Sequence, residues 1–372
     1  MVLRRSFAIV SAIHLLAAIV CPAAETDSRG PAKGAPETDR TANAREPVSP
    51  PTAEKPVFSF AWISDLHLGG SRLELARTAF RWIDRKLAPD FVLFTGDDNA
   101  IPAPAEDPTK PQPEDSRRHQ FFKDFLAGHL RAPAVVIPGD NWPGGFDQVF
   151  GAAQRSFDCC GLHFLLLAPD RTHKVRGMEG LSALDETTCA WIRKDLDASR
   201  DKPVIVAIHE PIHPPTFLDA MVLRRLVARH PQVIAVLQGH LHMDLQLQAG
   251  GTAYLSASAL GPTSVHSLKQ VLVFPDRLVI RTFACDPKTA EFAPLGPDWR
   301  VEVPRALRAN LRRPDGGFKL EKLAEVPPHP HIDDPALTER KWELLRNLSG
   351  LLDPDVLSPA RRPPSGTALP PD

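Results

Sequence analysis

No charge of either sign dominates this chain. Its 372 residues hold 44 Lys and Arg against 45 Asp and Glu, a net charge of −1. A global field that would steer it to nucleic acid or to a membrane surface is thereby excluded. Long apolar runs are missing too. The run Phe7 to Val20 has 14 residues, with Ser11 and His14 inside it, short of the roughly 18 a membrane span needs. No later segment is longer and as apolar, so no transmembrane anchor is expected, and no internal repeat is visible. Cysteine is scarce, at five residues. Cys159, Cys160, Cys189 and Cys285 match no zinc-site spacing. Adjacent Cys159 and Cys160 have the wrong geometry to bond each other. A bridge from one of them to Cys189 or Cys285 fits an exported chain, and four small buried hydrophobes fit equally.

Hydrophobic residues make up 43% and charged residues 24%, near the soluble globular average, which excludes a largely disordered or fibrous chain. Proline is in excess. The chain has 39, roughly twice the usual share of about 5%, concentrated in residues 22–56, 101–115 and 294–371. The extra length is therefore expected as linker, loop and tail around one core. Residues 1–24 read as an export signal: Arg4 and Arg5, the apolar run, then Cys-Pro-Ala-Ala with small residues for cleavage near Ala23 or Ala24. Arg4-Arg5-Ser6-Phe7 resembles a twin-arginine signal, and an ordinary secretory signal with two arginines reads the same way. Cys21 follows Val20, a poor fit to a lipobox. The expected location is periplasmic or secreted.

Residues 25–56 read as a flexible Pro-rich leader. From Val57, short apolar runs alternate with helical spacing. Strands are expected at 57–63, 91–95, 134–138, 163–168, 203–209 and 233–238. Helices are expected at 72–87, 117–130, 185–199 (with Asp185 as N-cap) and near 218–229. From Met243 to Ala284 strand follows strand with no helix between. Alternating β and α followed by β alone argues for a layered sandwich with helices outside. Residues 286–372 read as a Pro-rich extension with one helix near 335–352 and a disordered tail.

The chemistry sits at strand ends. Asp65-Leu66-His67 follows the first strand, Gly96-Asp97-Asp98 the second and Gly139-Asp140-Asn141 the third. His209 ends the strand from Pro203, and Gly239-His240-Leu241-His242 follows the strand ending at Gln238. Ligands gather at the carboxyl ends of parallel strands, so five such ends bring carboxylates and imidazoles to one place. Asp-x-His and His-x-His each put two side chains on one side of an extended segment. Glycine before Asp97, Asp140 and His240 lets the backbone turn sharply. The donor set suits divalent cations and contains no thiolate. Each piece alone is a weak signal; the five together, each ending an apolar strand, are not.

The matching residues SDLH (64–67), TGD (95–97), PGDN (138–141), IHEP (208–211) and GHLH (239–242) resemble the calcineurin-like metallophosphoesterase family over roughly 57–285. The resemblance implies an α/β fold, a four-layer α/β/β/α double β-sandwich with the metal site at the carboxyl ends of the strands. It implies two divalent metal ions (Mn, Fe or Zn). Asp65, His67, Asp97 and His242 would bind one, and Asp140, His209 and His240, with bridging Asp97, the other. Such a pair, about 3.5–4 Å apart, holds a hydroxide for in-line attack on phosphorus. The usual third motif is Gly-Asn-His-Asp/Glu. Here Gly139-Asp140-Asn141-Trp142 stands there, so either Asp140 replaces the Asn ligand or, with a one-residue shift, Asn141 is that ligand. Both alignments leave the motif's His missing and leaving-group protonation in question. His213 reads as a substitute acid or as a surface loop histidine. Glu210 stands where many relatives have a second His, and Asp98 either hydrogen-bonds a ligand or caps a turn. The expected function is an exported phosphatase or phosphodiesterase acting on a small phosphoester, its catalytic residues Asp97, Asn141, His209 and His213. The motif style is nearest to the branch that includes cyclic-nucleotide phosphodiesterases. The alternative is a non-catalytic metal- or partner-binding module of the same fold. No nucleic-acid partner is expected, and the oligomeric state stays open.

Overall fold

The computed structural model describes residues 54–99, 115–141, 145–169, 184, 186–217, 219–286 and 288–325. The expected signal, most of the leader, the N-cap Asp185, the helix near 335–352 and the tail lie outside the described residues. Two mixed sheets face each other. The first has the order β12-β11-β10-β1-β2-β3, with β13 also on β11. Its parallel centre is β1 (Phe58–Ile63), β2 (Phe91–Phe94) and β3 (Ala134–Val136). Antiparallel β10 (Ser267–Val273), β11 (Arg277–Asp286), β12 (Glu291–Pro294) and β13 (Trp299–Glu302) complete it. The second has the order β14-β4-β5-β6-β7-β9-β8. In it β5 (Leu162–Leu167), β6 (Val204–Ile208), β7 (Val233–Gln238) and β9 (Thr252–Ser256) run parallel. Its remaining strands are β4 (Arg155–Cys159), β8 (Leu245–Ala249) and β14 (Glu321–Glu325).

Three cores make four layers. Along β1, Phe58, Phe60 and Trp62 point between the sheets, where they meet Phe91, Phe164, Ile205 and Leu237. Ala61 and Ile63 point the other way, under α1 (Arg72–Trp82) and α2 (Asp115–His129), with Phe80, Phe122 and Phe125. The period of two along a strand buried on both faces explains its unbroken apolar run. Phe60 stacks on Phe91 at 4.9 Å and meets Phe164 of the other sheet edge-on at 5.6 Å. The third core lies outside the second sheet. There Ile192 and Leu196 of α4 (Glu186–Ala198) and Leu223, Leu226 and Val227 of α5 (Ala220–Ala228) cover Leu165, Val206 and Ile208. Each fully buried side chain of this size contributes about 1.5–3 kcal/mol.

The expected strands and helices form, with α1 passing at Trp82 into a π turn, Ile83–Leu87. The sheets, however, run past the expected domain edge at 285, which falls inside β11. β12, β13 and β14 carry both sheets on to residue 325. These strands hold four, four and five residues and carry Glu, Arg, Lys or Pro. Short charged edge strands give no apolar alternation to read. β4 and the helix α3 (Phe146–Phe150) have five residues each, too few to show a period of their own. Cys159, Cys160, Cys189 and Cys285 form no disulfide with one another. Cys159 lies within the core between the sheets, Cys285 packs under α1 and Cys189 packs in the third core, so they act as small hydrophobes.

Candidate metal centre

Seven strand-end side chains converge at the seam of the two sheets. Asp65 and His67 leave β1, Asp97 leaves β2 and Asp140 leaves β3. His209 leaves β6, and His240 and His242 leave β7. Their donor atoms form three overlapping groups within 4.8 Å: Asp65, His67 and His242; Asp140, His209 and His240; and Asp65, Asp97 and His209. The third group joins the first two, which places Asp97 between them. His242 Nε2 lies 3.1 Å from Asp65 Oδ1, and His209 Nε2 lies 3.0 Å from Asp140 Oδ1 and 3.4 Å from Asp97 Oδ2. His240 Nδ1 is 3.2 Å from Asp140 Oδ1.

The backbone is strained there. Asp65 (φ 54), His67 (41), Asp97 (56), His240 (68) and His242 (52) all sit in the left-handed region, at a cost of order 1 kcal/mol or more each for non-glycine residues. Hydrogen bonds from neighbouring loops fix these turns. Asp98 does not reach a ligand side chain: it accepts the Leu66 N–H (3.2 Å) and the Gly96 N–H (3.1 Å), tying the first two ligand loops together. At Gly139 the requirement is close approach rather than a sharp turn, since a Cβ there would lie 1.7 Å from Asp97 Oδ1. Gly96 does turn, at φ 100.

The buried charges suit a site that takes cations. Asp65, Asp97, Asp98, Asp140 and Glu210 are all buried, a density of carboxylates that is costly without compensating positive charge. Burial works against ionisation of Asp65, yet the imidazoles of His209 and His242 and the Ser64 hydroxyl hold it down at about 2. Asp140 lies well below the usual range: burial opposes ionisation, and His240 and His209 outweigh it. Burial, repulsion from Asp65 and a further push from Asp97 raise Asp98 well above the usual range. Burial disfavours charge on His209 and His240, but Asp97 and Asp65 push His209 well up and Asp140 raises His240 to about 9. Two details fit metal ligation. His67 Nε2 is buried with no hydrogen-bond partner, aimed at Asp97 Oδ2 (3.7 Å) and Asp65 Oδ1 (3.9 Å). His209 Nδ1 faces the Thr95 carbonyl at 2.7 Å; a carbonyl only accepts, so Nδ1 keeps a proton, and Nε2 is the nitrogen that would give up its own to ligate a cation.

All seven expected metal ligands are therefore brought together. The Asn141 amide hydrogen-bonds Asp97 Oδ2 through Nδ2 and lies 3.5 Å from Asp140 Oδ1, and its N–H donates to Asp97 Oδ1 at 2.9 Å. Asp140 is thus a member of the second group, and Asn141 stands between it and Asp97. His213 stands apart from the three groups. Its ring meets Tyr254 edge-on at 5.1 Å, and burial with nearby Arg224 lowers its pKa. Among the described residues Glu210 joins no ligand group. The sequence reading missed the supporting roles of Ser64 and Thr95, although both letters stand within the matched motifs SDLH and TGD.

Comparison with known proteins agrees with this geometry. The family model of the calcineurin-like phosphoesterases matches residues 58–244. A 3′,5′-cyclic-nucleotide phosphodiesterase of Nostoc sp. is 25% identical over 230 residues, which cover 55% of this chain and 79% of that protein. A dimetal phosphatase from Danio rerio superposes with a TM-score of 0.51 at 13% identity, covering 67% of this chain and all of that one, and so shares the fold. With half of its length matched, the chain belongs to the calcineurin-like phosphoesterase family and is a metal-dependent hydrolase of phosphoric esters.

Proposed function

We propose that the protein is an exported phosphoesterase that hydrolyses a small phosphomonoester or phosphodiester at a dimetal centre held by Asp65, His67, Asp97, Asp140, His209, His240 and His242. The observation that carries this reading is the third donor group, Asp65, Asp97 and His209, which links the other two. Bound there, two divalent cations supply Lewis acidity toward phosphoryl oxygens and lower the pKa of water. The nitrogen and oxygen donors suit Mn, Fe or Zn. Asp97 shares its carboxylate between the two groups. His209 holds its proton on Nδ1, against Thr95. His240 and His242 are the partly exposed members, with side chains 18% and 35% accessible, so they form the face that meets a phosphoryl group. Asn141 brings an amide beside Asp97, positioned to ligate or to hydrogen-bond a phosphoryl oxygen. The similarity to a protein named as a cyclic-nucleotide phosphodiesterase supports a diester among the substrates. A non-catalytic module is disfavoured, because no ligand position has been lost.

The deciding experiment is turnover of p-nitrophenyl phosphate and bis-p-nitrophenyl phosphate by purified protein with added Mn²⁺. Asp97→Asn should lower activity by orders of magnitude and reduce bound metal from about two per chain. Retention of both would refute the shared-carboxylate reading. Export rests on the Arg4-Arg5 start, the apolar run and the small residues before Glu25. N-terminal sequencing of the mature protein should begin close to Glu25; a chain that keeps Met1 inside the cell rules export out.

A further inference from the structure

A cleft of about 720 Å³ opens beside the first ligand group, lined by Gly69, Ser71 and Arg72 on one side and Thr263, Ser264 and His266 on the other. Both walls are rooted in the metal-ligand loop. Gly69 follows His67 by two residues, so chain reach keeps it within about 7 Å. The opposite wall hangs from the same loop, with the Leu260 N–H on the Ser64 carbonyl (3.1 Å) and the Gly261 N–H on the Asp65 carbonyl (3.0 Å). The two loops touch so closely that a Cβ on Gly261 would lie 2.2 Å from the Leu66 carbonyl oxygen.

The lining has one sign of charge. It includes a guanidinium, an imidazole and three hydroxyls, and no carboxylate. Among the described residues, Arg72 is half-buried and pairs with no acid, and its Nε, closed off from solvent, has no hydrogen-bond partner. By contrast Arg77 and Arg81, further along the same helix, both pair with Glu74. His266 Nδ1 donates to the Leu260 carbonyl at 2.9 Å, which leaves Nε2 for the cleft. The accessible part of the guanidinium has no acid beside it and is open to an anion in the cleft. A planar guanidinium suits carboxylate or phosphate oxygens.

We propose that this cleft is a substrate subsite that receives a second anionic group, a carboxylate or a further phosphate, on the part of the phosphoester that is not transferred, with Arg72 as its specificity determinant. The proposal rests on the phosphoesterase reading for the group at the metals. It makes the preferred substrate a phosphoester with another negative charge one short linker from phosphorus.

The test uses alkylphosphonates of two to five carbons that end in methyl, carboxylate or a second phosphonate, bound to the Mn²⁺-loaded full chain and followed by calorimetry. The phosphonate end reports the metal centre and the other end the cleft. At one linker length the anionic end should tighten binding roughly 10–100-fold over the methyl end, as expected of a charge-assisted contact. The carboxylate and phosphonate arms tell the two anions apart. Arg72→Gln should abolish that ratio, and Arg77→Gln should preserve it. A ratio near one at every length, or one that survives Arg72→Gln, overturns the subsite. Because binding is read without turnover, an inactive protein that still shows the ratio refutes hydrolysis and keeps the subsite. An active protein without the ratio does the reverse, and failure of every phosphonate to bind overturns both.

Discussion

At the scale of single residues, the centre is assembled from ordinary letters in uncommon conformations. Asp and His are common in any chain, and nothing in their identity announces φ values between 41 and 68 at five ligand positions. Such strain persists only where the surroundings over-determine it, and here the Asp98 carboxyl does so by holding the Leu66 and Gly96 amides. Asn141 is the residue whose chemistry differs most from the family motif. Its amide touches Asp97, but an amide has no proton to give a leaving alkoxide. General-acid help typically contributes about 10²–10⁴-fold and matters most for poor leaving groups. The protein should therefore cleave nitrophenyl esters more readily than alkyl esters, and Asn141→His should raise alkyl turnover more than nitrophenyl turnover. Steady-state rates on matched ester pairs check this; an unchanged ratio means that the proton has another source. His213, packed on Tyr254, stays outside the donor groups, so His213→Ala should not shift that ratio.

At the scale of elements, the site depends on loops that are braced from behind. The loop after β7, which carries His240 and His242, ends at Asp244. Asp244 accepts the Ser258 N–H at 2.7 Å, and Ser258 Oγ donates to the His242 carbonyl at 3.3 Å. Behind Asp244 stands Lys269 of β10. Its fully buried ammonium lies 2.9 Å from Asp244 Oδ2, 2.8 Å from Thr282 Oγ1 and 4.2 Å above the Trp299 ring. Burial lowers the Lys269 pKa, and Asp244 partly restores it. Outer partners of metal ligands typically contribute 10–100-fold in metal affinity. Lys269 acts on His242 only through Asp244 and Ser258, so Lys269→Met should weaken the cation held through His242 by about the lower end of that range and lower the melting temperature. The double variant Asp244→Asn with Lys269→Met should recover stability, because no unpaired charge remains, without recovering metal affinity. Metal titration and thermal unfolding separate the two effects; recovery of both would reduce the pair to a packing role.

At the scale of the whole molecule, the donor groups join two sheets. Asp65, Asp97 and Asp140 come from the first, and His209, His240 and His242 from the second, so metal binding should stabilise the full sandwich. The link depends on pH. In the metal-free protein His240 is raised to about 9. A raised histidine contributes stability that is fully present below its unfolded value near 6.5 and lost as pH rises through about 9. Cations need the neutral imidazoles, so loading releases protons and tightens as pH rises. The melting-temperature gain on adding Mn²⁺ should accordingly widen from pH 6.5 to 9, measured against chelator-treated protein. A constant gain would mean that these imidazoles are already neutral without metal.

What the sequence determined by itself was local: the strands, the order of β and α, and the strand-end pattern of Asp and His. Backbone period and side-chain chemistry are properties of short segments, so SDLH, TGD, PGDN, IHEP and GHLH were legible together with the four-layer fold. The short charged strands β12, β13 and β14 escaped, because their register comes from the edge they join and not from their own alternation. Tertiary structure alone decided that Asp97 lies between the two donor groups. It set Asn141 against Asp97 and His213 against Tyr254, and it left Arg72 without an acid beside an open cleft. Each of these is a distance between segments far apart in the chain, set by how two twisted sheets pack, and no local pattern encodes it.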